Sequence, residues 1–325
     1  MAVHDPRVAS ALQTFSAGRK PEALLALTRL MADGVGEAAR IMGELRWGGQ
    51  HDPDPIAGRT LFEQAAAMGD PTARHYATNL LASGIAGPRD WAEALRRLAN
   101  EAKHHPARRM ALDLIGRMTL DGAGDPLTPP PPGERISEAP DVVRHERLFS
   151  AAECAYVLEV AQPGYAPSTV YDSQRRLVRD PIRSSDGATL HWLIEDPAIH
   201  ALNRRIAAAS ASDAAPCNAD QGEAAQVLRY QPGQQYRPHF DFVRAAPNQR
   251  VLTALVWLNH DYKGGETTFP RAGLKLKPRK GDAVVFRNAL PSGQVDPLTE
   301  HAGLPVSRGT KFLYSRWIRE SRWVP

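Results

Sequence analysis

Cysteine is nearly absent, with only Cys154 and Cys217 in a chain of 325 residues. Two thiols outside any CxxC pattern make no disulfide framework, which points to buried thiols in a reducing compartment. Long apolar runs are lacking too. The longest, VLTALVWL at 251–258, falls well short of the roughly 20 residues that cross a bilayer. The N-terminal stretch has no apolar centre of the kind a secretion signal carries. The expectation is a soluble, cytoplasmic protein with no membrane partner. No one sign of charge dominates: 40 basic residues face 36 acidic ones, for a net charge of +4. Such a balance does not require a nucleic-acid partner, and no basic groove interleaved with aromatics is evident. The densest basic run, Lys275 to Lys280, alternates like a solvated strand edge and ends in a turn.

What remains falls into two textures. Residues 1–125 are rich in Ala, Leu and Arg, with apolar spacings of three and four that indicate amphipathic helices. This half contains an internal echo. Asp54, Phe62, Ala66 and Gly69 recur 36 positions later as Asp90, Leu98, Ala102 and His105. Ala38 and Leu45 before Gly49 recur as Ala73 and Leu80 before Gly84, and loosely as Ala111 and Met118 before Gly122. A helix pair of this length cannot bury its apolar face alone, so such units stack into a solenoid. The segments resemble Sel1-like repeats, relatives of the tetratricopeptide repeat, with His105 in place of the usual glycine. An irregular helical domain is the alternative.

Residues 126–141 hold four consecutive prolines, Pro129 to Pro132, a stiff extended spacer that neither a helix nor a central strand tolerates. They separate the helical part from residues 142–325. There β-branched and aromatic residues gather into short runs: VLRY at 227–230, VLTALVWLN at 251–259, AVVFRN at 283–288 and KFLYSRWI at 311–318. Turn signals divide them, as expected of a sandwich or jelly roll. A helix is expected near SAAECAYVLEVA at 150–161, with Ser150 and Glu153 as a capping box.

The chemistry concentrates in YRPHFDF at 236–242. On a strand, His239 and Asp241 share a face, so one imidazole and one carboxylate can meet a single ion. Among the other histidines His301 stands out, because it precedes a small-residue turn feeding the strand KFLYSRW. Two histidines and one carboxylate that leave open positions form the facial triad of non-haem Fe(II) oxygenases. Ten residues beyond His301, Lys311 begins a strand whose alternation places Lys311, Leu313, Ser315 and Trp317 on one face. An inward lysine needs an anionic partner, and a dicarboxylate would supply one.

The stretches YQPGQQYRPHFDF, GGETTFP, KPRKGDAVVF and HAGLPVSRGTKFLYSRWI resemble, in order, the signature blocks of the prolyl 4-hydroxylase branch of the 2-oxoglutarate- and Fe(II)-dependent dioxygenases. The resemblance covers roughly 142–325 and implies a double-stranded β-helix, a distorted jelly roll with iron at its mouth. It implies His239, Asp241 and His301 as ligands of Fe(II). Lys311 would hold the far carboxylate of 2-oxoglutarate, helped by Tyr230, with Thr253 lining the same pocket. O2 would be the second co-substrate and ascorbate the reductant. Hydroxylation would be coupled to decarboxylation of 2-oxoglutarate to succinate and CO2.

The same resemblance implies a substrate entrance formed by Arg183, Ser185, Glu223, Tyr236, Arg250 and Trp317, and a proline-containing peptide or protein as partner; the helical repeats, as a solenoid with an extended concave surface, would recruit or orient it. Two positions depart from the pattern: Arg319 replaces a frequent histidine, and Trp257 replaces a tyrosine found in some relatives. Two other readings stay open at this point. One is hydroxylation of a free amino acid or small natural product; the other is a repeat-based interaction protein with an inactive jelly roll.

Overall fold

The computed structural model describes residues 5–49, 51–171, 177–179, 182–211 and 217–323. Its contacts divide the chain into two compact units. Residues up to Arg109, with Trp192–Pro197, form the first; Met110–His191 with Ala198–Trp323 form the second.

The first unit is helical: α1 (Pro6–Ser16), α2 (Lys20–Ala32), α3 (Gly36–Trp47), α4 (Pro55–Ala67), α5 (Pro71–Ser83) and α6 (Trp91–Glu101). Helix α7 (Pro106–Ile115) runs across the division. Aspartates start four of the helices. Asp5, Asp54, Asp70 and Asp90 accept hydrogen bonds from the first free amides of α1, α4, α5 and α6, a cap worth about 1 kcal/mol each. The echoed Asp54 and Asp90 are thus both helix caps. Their companions are apolar contacts: Phe62, Leu98, Ala38, Ala73, Leu45 and Leu80 are all buried. Small residues allow close approach where α3 meets α4, since a Cβ on Gly43 would lie 2.7 Å from the Phe62 ring.

The units divide earlier than the proline run. Residues beyond Arg109 are tied into the second unit, where Leu120 bridges Pro126 and the Arg204 guanidinium donates to the Ala123 carbonyl. Conversely, Leu193 packs with Phe62, Leu80 and Ile85 in the first unit, and Asn79 donates to the Leu193 carbonyl at 2.7 Å.

The second unit is rich in antiparallel strands: β1 (Glu134–Glu138), β2 (Asp141–His145), β3 (Ala166–Pro167), β4 (Thr169–Tyr171), β5 (Leu177–Arg179), β6 (Asp186–Leu190), β7 (Ala225–Tyr230) and β8 (Tyr236–His239). These continue as β9 (Arg250–Trp257), β10 (Lys263–Gly264), β11 (Thr267–Phe269), β12 (Leu274–Leu276), β13 (Ala283–Arg287), β14 (His301–Gly303), β15 (Val306–Arg308) and β16 (Lys311–Arg319). The larger of the two main sheets runs β1-β2-β13-β9-β16-β7-β6-β3 and the smaller β12-β11-β14-β8, while β4 with β5 and β10 with β15 form separate pairs. The basic run at 275–280 begins on β12, an edge strand of the smaller sheet, where lysines keep their charges in water.

Alternation sorts the central strands into two faces. Leu255 and Trp257 of β9, Val284 and Phe286 of β13, and Leu313 of β16 share a core with Phe269 of β11. On the opposite face Tyr314 meets Phe149 with ring centroids 5.7 Å apart. Its hydroxyl donates to Asn203 of α9 (Pro197–Ser210) at 2.6 Å. Helix α8 (Ala151–Ala161) starts with the expected capping box of Ser150 and Glu153. With both faces covered, the middle strands are apolar almost throughout, which is why VLTALVWL has no polar alternation.

Candidate metal centre

The two histidines meet because β8 and β14 pair antiparallel with His239 directly opposite His301. Asp241 lies two residues past His239, beyond the end of β8. The expected strand YRPHFDF is therefore shorter in the fold, and only YRPH is extended and paired. His239, Asp241 and His301 each offer a ligand atom, and those atoms lie within 4.8 Å of one another. Asp241 Oδ2 is 3.5 Å from His301 Nε2, and Asp241 Oδ1 is 3.9 Å from His239 Nε2.

Backbone carbonyls set the state of both rings. His239 Nδ1 is 2.8 Å from the Arg237 carbonyl and His301 Nδ1 is 3.0 Å from the Thr299 carbonyl. A carbonyl only accepts, so each Nδ1 carries the proton and each Nε2 presents a lone pair to the shared point. Burial, reinforced by His301, pushes His239 down to about 4, so it is neutral near pH 7. Burial works against ionisation of Asp241, but the neighbouring histidines and the Thr253 hydroxyl outweigh it and hold the carboxyl below its usual range. Two imidazoles that turn Nε2 to the shared point and one carboxylate are the donor set of a non-haem iron centre with open positions, so these residues fit Fe(II).

The same cavity contains Lys311, buried at 3% exposure, whose Nζ donates to the Gly265 carbonyl at 2.7 Å. Gly265 has φ of +67°, and a Cβ there would press to 3.3 Å from the lysine stem, so glycine permits the approach. The Tyr230 and Trp257 rings each lie 5.6 Å from Nζ. Burial drives Lys311 down to about 7, with Glu266 opposing the shift. The alternation expected of β16 holds, since Lys311, Leu313, Ser315 and Trp317 all face this cavity, along with Tyr230.

The expected site residues fall in three places. The ligand triad, Lys311, Tyr230, Tyr236, Trp317 and Arg183 line one cavity. Tyr236 stacks on His239 with centroids 3.4 Å apart, and the Arg183 guanidinium lies 5.2 Å from the Tyr236 ring. Glu223 and Arg250 sit beside this cavity and bind each other, with Arg250 Nε 2.5 Å from Glu223 Oε1. Arg250 lies over the Trp317 ring at 3.8 Å, and Arg319 reaches Glu223 at 2.8 Å.

Thr253 and Ser185 do other work than expected. Thr253 is absent from the cavity lining; it donates to Asp241 Oδ2 at 2.8 Å. Ser185 is wholly buried and pairs with the Ser168 hydroxyl at 3.2 Å. Asn288, which the sequence did not single out, donates to Thr253 Oγ1 at 2.9 Å and completes a chain Asn288–Thr253–Asp241. Its only sequence signal is a polar residue closing an apolar strand. Leu228 and Leu255, also unremarked, join the expected Leu313 in the apolar wall.

A His/Asp/His set beside a buried lysine defines a non-haem metal oxygenase centre. The family described as the 2OG-Fe(II) oxygenase superfamily matches residues 225–319, from the start of β7 to the end of β16. Prolyl 4-hydroxylase 1 of Arabidopsis thaliana is 36% identical over 207 residues, covering 58% of this chain and 71% of that protein. Prolyl 4-hydroxylase subunit alpha-1 of Rattus norvegicus is 33% identical over 195 residues, covering 56% of this chain and 35% of that one. Among solved structures, the viral collagen prolyl hydroxylase of Paramecium Bursaria Chlorella virus-1, in its 2OG complex, is 27% identical; it covers 57% of this chain and 99% of that chain, with a TM-score of 0.43. The chain belongs to the prolyl 4-hydroxylases of the 2OG-Fe(II) oxygenase superfamily.

Proposed function

We propose that this protein is an Fe(II)- and 2-oxoglutarate-dependent prolyl 4-hydroxylase acting on proline within a peptide or protein. The observation that carries the reading is the convergence of His239, Asp241, His301 and Lys311 on one cavity. Bound Fe(II), with 2-oxoglutarate and O2, couples hydroxylation of a C–H bond to decarboxylation of the co-substrate to succinate and CO2. The two imidazoles and the carboxylate would hold the metal. The Thr253 hydroxyl and the Asn288 amide keep the carboxylate aimed. Lys311 gives a point charge suited to a single carboxylate, and Tyr230 stands beside it. The leucine wall excludes water.

The cavity is about 30 Å³, room for little more than a water-sized group. Admitting a dicarboxylate and a prolyl ring therefore requires its walls to part. Arg183 and Tyr236 are the natural moving pieces, because both are only half-buried and stack on one another. Tyr236 and Trp317 would flank a pyrrolidine ring, with Glu223 and Arg250 holding Trp317 in place. In this reading the two sheets form the distorted jelly roll of the family, residues 142–325 are its catalytic domain, and 126–141 link it to Sel1-like repeats at 1–125 that recruit the target. A cytoplasmic site of action and ascorbate as reductant complete the proposal. Among the described residues, no helix is long and apolar enough to cross a membrane.

The test is succinate release with Fe(II), 2-oxoglutarate and either prolyl peptides or free amino acids. Stimulation by prolyl peptides is the expected result. Stimulation by a small molecule alone would move the substrate assignment, and absence of Fe(II) and 2-oxoglutarate binding would leave an interaction protein.

A further inference from the structure

We propose that the tetraproline run Pro129–Pro132 is itself a hydroxylation site, modified by the active site of a second copy of this chain. The proposal rests on the prolyl-peptide reading above. Pro129, Pro131 and Pro132 are exposed and Pro130 is half-buried. Each proline fixes its own φ and forces the preceding residue into an extended conformation. Thr128 to Pro131 are thereby preset as a polyproline II strand of three residues per turn, which places Pro129 and Pro132 on the same side. A segment already extended loses little freedom when it enters a binding groove.

The surroundings leave this strand accessible. The run lines a cleft of about 950 Å³ shared with Arg117, Arg144 and Arg147, and another of about 870 Å³ shared with Ala211 and Val285. Open space on two sides means the run spans the surface instead of packing into it. Among the described residues, no backbone–backbone hydrogen bond outside the helices and strands involves 128–133. Seating the run in another molecule breaks no such ladder. The run is held close to the sheet just past Pro132, where a Cβ on Gly133 would lie 2.7 Å from the His145 ring.

Both ends of the run are anchored. Leu127 donates to the Thr119 carbonyl at 3.1 Å, and Glu134 starts β1 opposite Arg144. Pinned on both sides, the run has little freedom to swing into its own catalytic cavity, so a second copy is the modifying partner. The reaction balances without a further reductant. One oxygen atom of O2 enters a pyrrolidine C–H bond to give C–OH, and the other ends in succinate as 2-oxoglutarate loses CO2.

The experiment mixes the unlabelled wild-type chain with an isotopically labelled His239→Ala chain, Fe(II), 2-oxoglutarate and air. Tandem mass spectrometry then reads the peptide containing 126–134. The expected result is one added oxygen atom on a proline of the labelled chain, at an initial rate proportional to wild-type concentration and zero without 2-oxoglutarate. An Asp241→Asn chain serves as a second acceptor, so misfolding of one variant does not hide the mark. Synthetic TPPPPGE and an unrelated prolyl peptide are assayed alongside. If either peptide is hydroxylated while neither labelled chain is, self-modification is wrong and the prolyl reading survives. If neither the labelled chains nor any synthetic peptide accepts oxygen, both fall. A mark confined to the wild-type chain, at a rate independent of concentration, overturns the role of a second copy.

Discussion

Two walls of one cavity are held in shape by different forces. At the ligand wall charge is scarce, and the polar groups have fixed partners: Nδ1 of each histidine a backbone carbonyl, Asp241 the buried Thr253, and Lys311 the buried Gly265 carbonyl. At the entrance wall charge is abundant and shared out, with one carboxylate, Glu223, set between the two guanidiniums of Arg250 and Arg319, and Arg250 lying on Trp317. Buried neighbours in a low dielectric hold their partners tightly, and removing one leaves a costly orphan. Partly hydrated ion pairs hold their shape with less energy and tolerate more change. The ligand wall should therefore break on single substitutions, whereas the entrance wall should only bend.

The largest expected effect is at the ligand wall. His239→Ala or Asp241→Ala is expected to abolish Fe(II) binding and 2-oxoglutarate turnover together, as checked by metal analysis and succinate release. Next comes Lys311→Ala. Losing a charge-assisted hydrogen bond of about 1.5–3 kcal/mol raises the KM for 2-oxoglutarate by about ten- to a hundredfold in steady-state assays, with a smaller effect on kcat. An unchanged KM would remove Lys311 from the co-substrate site.

Thr253→Val tests whether the carboxylate needs its hydroxyl. Iron affinity is expected to fall by about tenfold or more, and the orphaned Asn288 amide should lower thermal stability by about 1–3 kcal/mol. A variant that binds iron as wild type does would show that Asp241 is aimed by its backbone alone.

The titration of Lys311 sharpens the comparison in a different way. Burial holds its pKa at about 7 in the free protein, so above that pH the amine is mostly neutral, whereas a bound carboxylate requires the ammonium. Binding of 2-oxoglutarate to the Fe(II)-loaded chain without oxygen should therefore take up close to one proton at about pH 8 and little at about pH 6. Calorimetry in buffers of different ionisation enthalpy measures that difference. Equal uptake at both values would mean that the lysine is already charged.

The smallest effect belongs to the entrance. Glu223→Gln should raise the peptide KM by about three- to tenfold, through a less firmly held Trp317, and leave the KM for 2-oxoglutarate unchanged. Arg319→His should act in the same direction and more weakly, because Arg250 keeps its bidentate hold on Glu223.

The ligand wall was the more legible in sequence, for a physical reason. Alternation along β16 sends Lys311, Leu313, Ser315 and Trp317 inward whatever the partner strands do, whereas Asp241 reaches the site from just beyond the end of β8. Thr253 was legible as inward-facing but not as the Asp241 donor, since that contact depends on how the chain beyond β8 passes over β9. Register between distant segments leaves no mark in either segment's own pattern. Asn288 was missed for the same reason, and Ser185 was placed at the entrance although its hydroxyl turns to Ser168. The helices of the first unit were legible from apolar spacing, and the repeated aspartates at 54 and 90 prove to be caps. The division at Arg109 was not legible, because it depends on where α7 and residues 192–197 pack.

The most direct measurement of the central claim is anaerobic titration calorimetry of Fe(II), followed by 2-oxoglutarate, on the wild-type and His301→Ala chains. The wild-type chain is expected to bind one Fe(II), and then 2-oxoglutarate one to one and only when the metal is present; His301→Ala should lose both. Binding of 2-oxoglutarate with equal affinity to the metal-free chain, or full retention of Fe(II) by His301→Ala, would contradict a single cavity that holds the metal and its co-substrate together.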